Sequence, residues 1–339
     1  MAGGTTTQRA EALLAPYRGE LYAHCYRMTG SVQDAEDALQ DALLRAWRAI
    51  DQQKEPGALR AWLYRIATNT SLDLIKRRPD RVLPFDHGGA GDPADGPGPP
   101  LTEIGWIEPY PDEQGGLDDA FASSEARYEL RESVELAFIA ALQHLPARQR
   151  AVLVLREALG FSAQEVADLL ETTVASVNSA LQRARASVDG RLPEASQQET
   201  LNALGDDKLR AIVSDYVAAW ERGDVEAVVA MLAEEATMAM PPMAMWFRGR
   251  DACEAFLRKW AFGQRWSGER FEEGERDVRL VVTSASGQPA IGAYRRHDDG
   301  VFRPYALQVL TLRADGRLVD ITAFVSPQIF PAYGLSESL

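Results

Sequence analysis

Ser176, Asn178, Ser179, Gln182, Arg183 and Arg185 interleave with Val174, Val177, Leu181, Ala184 and Val188, which repeat at the three- and four-residue intervals of a helix. One face of that helix is apolar; the other carries short polar groups first and arginines later. Side chains of these types hydrogen-bond base edges and phosphates when a helix lies in a major groove. Upstream, Asn69 and Asp73 stand four residues apart beside Lys76 and Arg77, off the apolar stripe of Trp62, Leu63, Ile66, Ala67, Thr70 and Leu74. This second set also offers hydrogen bonds and positive charge to a nucleic acid. Other chemistries lack their residues. Cys25 and Cys253 are the two cysteines of the chain and supply neither a metal cluster nor a disulfide framework. His24 and Cys25 read as packing inside a helix, His87 and His144 stand alone, and no glycine-rich phosphate loop occurs. No catalytic residue, metal or cofactor is assigned.

Local signals define the elements that position these groups. Ser162 caps a helix bearing Val166, Leu169 and Leu170, with Glu165 at the reciprocal capping position, and Thr173 caps the next. The pair reads as a helix-turn-helix. Over 34–50, Ala35, Ala38, Leu39, Ala42, Leu43, Ala46, Trp47 and Ile50 form one helical stripe behind the cap Ser31. Asp34, Glu36, Asp37, Gln40, Asp41 and Arg48 occupy the opposite face. Glu55-Pro-Gly57 breaks the chain, and Pro79 ends the following helix.

The 339 residues exceed one ordinary core and predict two or three domains. A net charge of −14 argues against binding nucleic acid until its distribution is considered. Residues 80–127 hold eleven acidic against two basic side chains, so a basic footprint is local, at Arg77, Arg78 and Arg81 and again at Arg183 and Arg185. The Gly/Pro-rich stretch 88–100 predicts an extended linker, the aromatics of 106–112 a short docking segment, and 194–205 a second linker. No run of apolar residues long enough for a membrane span and no signal peptide occur, and the cysteine usage fits a cytoplasmic protein.

From 206 onward the style changes. An amphipathic helix (Leu209, Ile212, Val213, Tyr216, Val217, Trp220) ends at Gly223-Asp224, and a second carries Val225, Val228, Val229 and Leu232. Strand-like runs follow at 237–240, 278–283, 290–294, 305–312 and 318–324, with turn signals at 298–300 and 314–316. Helices followed by an antiparallel meander predict an α+β module.

Three stretches carry a family resemblance. Asp34-Ala-Glu-Asp-Ala-Leu-Gln-Asp-Ala-Leu-Leu-Arg-Ala-Trp47, with Ala61-Trp-Leu-Tyr-Arg-Ile-Ala-Thr-Asn-Thr-Ser-Leu-Asp-Leu-Ile-Lys-Arg-Arg78, resembles domain 2 of the extracytoplasmic-function (ECF) sigma factors of the sigma-70 family. Leu145-Pro-Ala-Arg-Gln-Arg150 and 175–185 resemble domain 4. Tyr216-Val-Ala-Ala-Trp-Glu-Arg-Gly-Asp224, Pro241-Pro242 and Phe247-Arg-Gly249 are similar to the SnoaL-like (nuclear-transport-factor-2-like) module, and the Trp-x-Glu-Pro-x-Pro-Asp of 106–112 is similar to the SigG type. The resemblance implies two all-α sigma domains, the second a helix-turn-helix, and a C-terminal α+β SnoaL-like cone. The expected boundaries are 8–79, an acidic linker 80–127, 128–193 and 206–339.

The resemblance further implies a factor that binds core RNA polymerase and directs promoter-specific initiation. It places polymerase contact on Asp37, Gln40 and Asp41, reading of a −10 element on Asn69, Ser71, Asp73, Lys76 and Arg77, and reading of a −35 element on Ser176, Asn178, Ser179, Gln182, Arg183 and Arg185. Glu171 stands where the pattern has a turn glycine, and Asn178 and Ala180 where it often has Lys and Arg. The acidic linker either follows a polymerase channel in place of RNA or is a solvated spacer. The last module is expected to regulate in cis. Met238, Met240, Met243, Trp246, Phe247, Tyr305 and Gln308 either line a pocket for a small apolar ligand or are ordinary core. Two other readings stay open: a bifunctional protein whose last domain binds or isomerises a small molecule, and a helix-turn-helix regulator independent of polymerase.

Overall fold

A computed structural model describes residues 11–50, 58–113, 124–262 and 278–339. The breaker Glu55-Pro-Gly57 and the linker stretch 114–123 lie outside them. Among the described residues no helix is long and apolar enough to cross a membrane. The chain divides into two compact units. The first gathers the chain up to Arg81, Ile107–Tyr110 and the stretch that ends at Glu194; the second gathers Val82–Trp106, Pro111–Glu113 and Ala195–Leu339.

The first unit is helical. α1 (Arg18–Thr29) ends where Gly30, at φ +66, turns left-handed and returns its N–H to Tyr26. α2 (Val32–Ala49) starts at Ser31, whose hydroxyl accepts from the Asp34 amide, and buries Ala35, Ala38, Leu39, Ala42 and Ala46 as its spacing predicts. α3 (Leu59–Ile75) buries Leu63, Ala67 and Thr70, but also Tyr64, Thr68 and Ser71. That second stripe faces α1, where His24 Nε2 meets Thr68 Oγ1 at 2.9 Å. α4 (Ser124–Glu132), α5 (Leu136–Gln143) and α6 (Ala147–Leu153) lead to α7 (Ala163–Leu169) and α8 (Val174–Val188), the helix-turn-helix. Ser162 and Glu165 make the full capping box, and Thr173 accepts from the Ser176 amide. Between these helices Glu171 does adopt φ +50, which costs about 1 kcal/mol for a residue with a Cβ.

His24 is fully buried, and burial, with Arg27 close by, lowers its pKa from 6.5 to about 3. The folded protein therefore binds fewer protons than the unfolded chain at any pH between those values, and its stability falls as the pH drops below about 6.5. Between pH 7 and pH 5 this ring should remove about 2 kcal/mol of unfolding free energy. His24→Gln should flatten that dependence in denaturant titrations at the two pH values. An unchanged slope would assign it to other groups.

The second unit is α+β. α9 (Gln197–Leu204) and α10 (Asp206–Arg222) precede α11 (Val225–Ala230). The stretch 194–205, expected as linker, thus holds a helix with a Ser196/Glu199 capping box. Gln197 binds it to the sheet, donating to Leu312 O at 2.9 Å and accepting from Leu312 N at 2.6 Å. The strands are β1 (Leu232–Ala239), β2 (Trp246–Arg248), β3 (Val278–Ala285), β4 (Gln288–Arg296), β5 (Phe302–Leu312) and β6 (Leu318–Phe324). Their order is β2-β1-β6-β5-β4-β3. β3 to β6 form the expected meander, but β1 joins β6 in parallel, Met238 beside Ile321, so the sheet is mixed. α12 (Arg250–Phe256) packs on β1.

Val82–Trp106 belongs to this second unit and is not an extended linker. Indole N–H groups hold it: Trp246 Nε1 donates to Gly88 O at 2.7 Å and Trp260 Nε1 to Pro93 O at 2.9 Å. Gly96 has φ +76, and a Cβ there would lie 2.7 Å from the Trp260 ring. Its glycines and prolines permit a close-fitting irregular path here, a use that composition alone does not distinguish from disorder.

Candidate nucleic-acid interface

α8 displays all six side chains expected on its outer face. Ser176, Asn178, Ser179, Gln182, Arg183 and Arg185 are exposed, while Val177, Leu181, Ala184 and Val188 are buried. Arg185 pairs with Glu157, itself partly exposed, and exposed pairs of this kind are weak. Arg183 has no ion-pair partner among the described residues. The Thr173 hydroxyl lies 2.9 Å from that of Ser176, so part of Ser176's bonding capacity is used locally at the cap.

On α3 the expected set divides. Asn69, Lys76 and Arg77 are exposed, and Asp73 is half-buried with Lys76 Nζ 3.3 Å away. Ser71 is fully buried, one to two turns beyond Thr68 and Tyr64 on the inward stripe, and does not reach the surface. The footprint also narrows at the end of α3. Arg78 and Arg81 both pair with Asp34, whose side chain is only 5% exposed, so neither guanidinium is free for a phosphate. Two arginines around one acid at the start of α2 join the α2 and α3 ends, a pairing invisible from helical periodicity.

α2 carries the third set. Asp37 and Gln40 are exposed and Asp41 is half-buried, bridged to Arg45 at 2.7 Å. Alongside lies an open cleft of about 920 Å³, lined by Leu14, Tyr22, Leu39, Gln40, Leu43 and Leu44 among others. Leu44 and Trp47 on its rim are 47% and 45% exposed. Sequence reasoning placed Trp47 in the buried stripe and missed it as a surface group. The signal was present, since the stripe Ala35, Ala38, Ala42, Ala46 is complete without it.

Ile107–Tyr110 docks on this unit, as the aromatics of that segment predict. Tyr110 packs against Tyr22 and Tyr26, and Tyr26 Oη donates to Glu108 O at 2.6 Å. The Glu108 carboxylate accepts from Ser31 Oγ at 2.9 Å and Val32 N at 2.6 Å, completing the start of α2. The two halves of the unit are joined through buried guanidinium groups. Arg27 donates to Ser133 O and Oγ, the Oγ bond from Nη2 being 2.6 Å. Arg150 donates to Met28 O and also to Gln143 and Leu145 on its own side. Burial pulls both arginines below the usual guanidinium range, Arg150 to about 10.

Of the residues proposed to line a pocket in the second unit, Met238, Met240, Met243, Tyr305 and Gln308 do so. Trp246 instead holds Gly88, and Phe247 is fully buried against Phe256.

Comparison with known proteins gives the class first. The model of Sigma-70 region 2 matches residues 13–80, that of Sigma-70 region 4 matches 135–188, and that of the SnoaL-like domain matches 213–321. The solved structure of the Mycobacterium tuberculosis extracytoplasmic function sigma factor SigJ covers 97% of this chain and 100% of its own at a TM-score of 0.57 and 23% identity, which establishes a common fold. The ECF RNA polymerase sigma factor SigG of M. tuberculosis (strain ATCC 25618 / H37Rv) is 41% identical over 327 residues, 96% of this chain and 83% of SigG. SigE of Mycolicibacterium smegmatis is 29% identical over 196 residues, 57% of this chain and 65% of SigE. The chain belongs to the ECF sigma factors of the sigma-70 family, closely related to SigG, with a C-terminal SnoaL-like domain.

Proposed function

We propose that this protein binds core RNA polymerase through the α2 face, reads promoter DNA with α3 and α8, and is restrained in cis by its C-terminal domain. The observation that carries the reading is the outward set on α8 together with a second polar face on α3 and an unpartnered apolar rim on α2. A stand-alone helix-turn-helix regulator gives the last of these no purpose. Gln40, Leu44 and Trp47, flanked by Asp37 and Asp41, suit a partner helix with an apolar stripe and basic edges. Asn69, Lys76 and Arg77 remain the exposed groups of the −10 set. Loss of phosphate or base contact at Arg183→Ala should weaken −35 duplex binding about tenfold and reduce the salt slope by about one unit. Unchanged affinity at moderate salt would remove Arg183 from the interface.

Geometry supports the restraint. Elements 25 base pairs apart are separated by roughly 85 Å along B-DNA at about 3.4 Å per base pair. A compact unit of this length has a radius of gyration of only about 15 Å. The two helical halves, held together by Arg27 and Arg150, must therefore separate before both elements are read. The connector that has to extend for this is Val82–Trp106, which is bound into the C-terminal unit. Residence of the connector there opposes opening. In vitro transcription with purified core polymerase tests the whole reading: no promoter-specific transcript from the full-length or the truncated chain would refute it.

A further inference from the structure

Fifteen residues form α8, and from Val174 to Val188 none of them is an acid. Its exposed side chains differ in which bases they can tell apart. Ser176 and Ser179 carry hydroxyls, which donate or accept and so suit any base edge. The Ser176 hydroxyl already lies against that of Thr173. Ala175 and Ala186 present only methyl groups. Arg183 and Arg185 are donors with no acceptor, and Glu157 engages the Nε of Arg185. Asn178 and Gln182 remain. Each is a primary amide, with a donor and an acceptor side by side. Both are exposed, and neither side chain is hydrogen-bonded to another residue among those described.

At about 100° per residue, the two amides stand one turn apart and within about 40° of each other around the helix. They lie clear of the stripe of Val177, Leu181, Ala184 and Val188, which is buried. A recognition helix meets base edges first with its N-terminal residues, so a later residue must reach further. Gln182, one turn after Asn178, is longer by one methylene. A helical turn of about 5.4 Å spans about one to two base pairs at about 3.4 Å each.

Adenine displays in the major groove an acceptor, N7, beside a donor, N6, and one amide satisfies both at once. Guanine offers two acceptors, so the amide carbonyl would oppose O6; cytosine offers a donor alone, and thymine an acceptor beside a methyl group. Each wrong base leaves a polar group unpaired where water is excluded, which is the costly outcome. We propose that Asn178 and Gln182 are the base-reading pair of this protein, and that each specifies adenine, at two neighbouring positions of the −35 element. Arg183, about 100° around the helix from Gln182, is left to the phosphates and adds affinity without selecting sequence. The assignment rests on the promoter role proposed for α8 and adds which bases that helix selects.

The test is selection by holoenzyme, assembled from the full-length chain and bacterial core polymerase, on a promoter library randomised across the upstream element. Sequencing of the recovered DNA should show two neighbouring adenines, each favoured about tenfold or more over the other bases. Gln182→Glu replaces the amide by an acceptor-only group, which suits the N4 donor of cytosine. It should convert one of the two adenines to cytosine and leave the other. Asn178→Ala should abolish the preference at that other position alone. Arg183→Ala should lower recovery of all sequences and keep the enriched one. All three side chains are exposed, so the variants should fold, with thermal melting as the control. An enriched element that neither Gln182→Glu nor Asn178→Ala alters would overturn the proposal, as would a base other than adenine at the positions they alter. Failure of the sigma reading looks different: none of the four chains then enriches any element, and both conclusions fall.

Discussion

Serine in place of both Leu44 and Trp47 should cost this protein its hold on core polymerase while leaving its fold intact. The two side chains are nearly half exposed at the rim of the cleft, so their loss removes less folding energy than that of a buried residue. At an interface, a buried Trp or Leu anchor is worth about 2 kcal/mol or more. Together they predict a weakening of at least about a hundredfold. Fluorescence anisotropy against core polymerase measures it, with thermal melting as the control for folding. Arg183→Ala, at the far end of the same unit's chain, should leave this affinity unchanged. Retained affinity in the doubly substituted protein would move the polymerase contact off this rim and leave the exposure of Trp47 without a role.

A chain ended after Pro193 should give several-fold to about tenfold more transcript from a cognate promoter than the full-length chain. A shift of about 1.4 kcal/mol in the balance between closed and open helical halves suffices for tenfold. The connector has measurable anchors, so the prediction has an internal check in the intact protein. Trp246→Phe removes the N–H that holds Gly88 while keeping an aromatic ring, and should shift output in the same direction by a smaller factor. Ser133→Ala, which removes the hydroxyl that accepts from Arg27, should do so as well. Equal or lower output from the truncated chain, with polymerase affinity preserved, would refute restraint by the C-terminal domain.

Much of this architecture is legible in the sequence, for reasons that differ by element. The helix-turn-helix could be placed because its caps are local: Ser162, Glu165 and Thr173 act within a turn of their own positions. The outward set on α8 followed from the spacing of Val177, Leu181, Ala184 and Val188. Ser71 was not legible, because its burial depends on α1, a partner more than forty residues away in sequence, and α3 carries two buried stripes where one was sought. Arg78 and Arg81 were misjudged for the same reason: their partner Asp34 belongs to another helix. The parallel pairing of β1 with β6 spans most of the last domain and has no local mark. α9 did have one, the Ser196/Glu199 capping box, which was overlooked among the residues of a supposed linker. The glycines and prolines of 88–100 reflect a tight path over Trp260 and Trp246, and such contacts leave no periodicity to detect.

Glu108 has a consequence for anyone who dissects this molecule. Its carboxylate supplies acceptors for the opening turn of a helix that begins at Val32, an arrangement worth about 1 kcal/mol at such a position. A minimal fragment stopped at Pro79 would retain every residue of that helix and still lose this acceptor, so its first turn should fray. Affinities measured on such excised pieces would understate those of the intact polypeptide, and a short peptide spanning Ile107–Tyr110, added in trans, is the reagent that would reveal the difference.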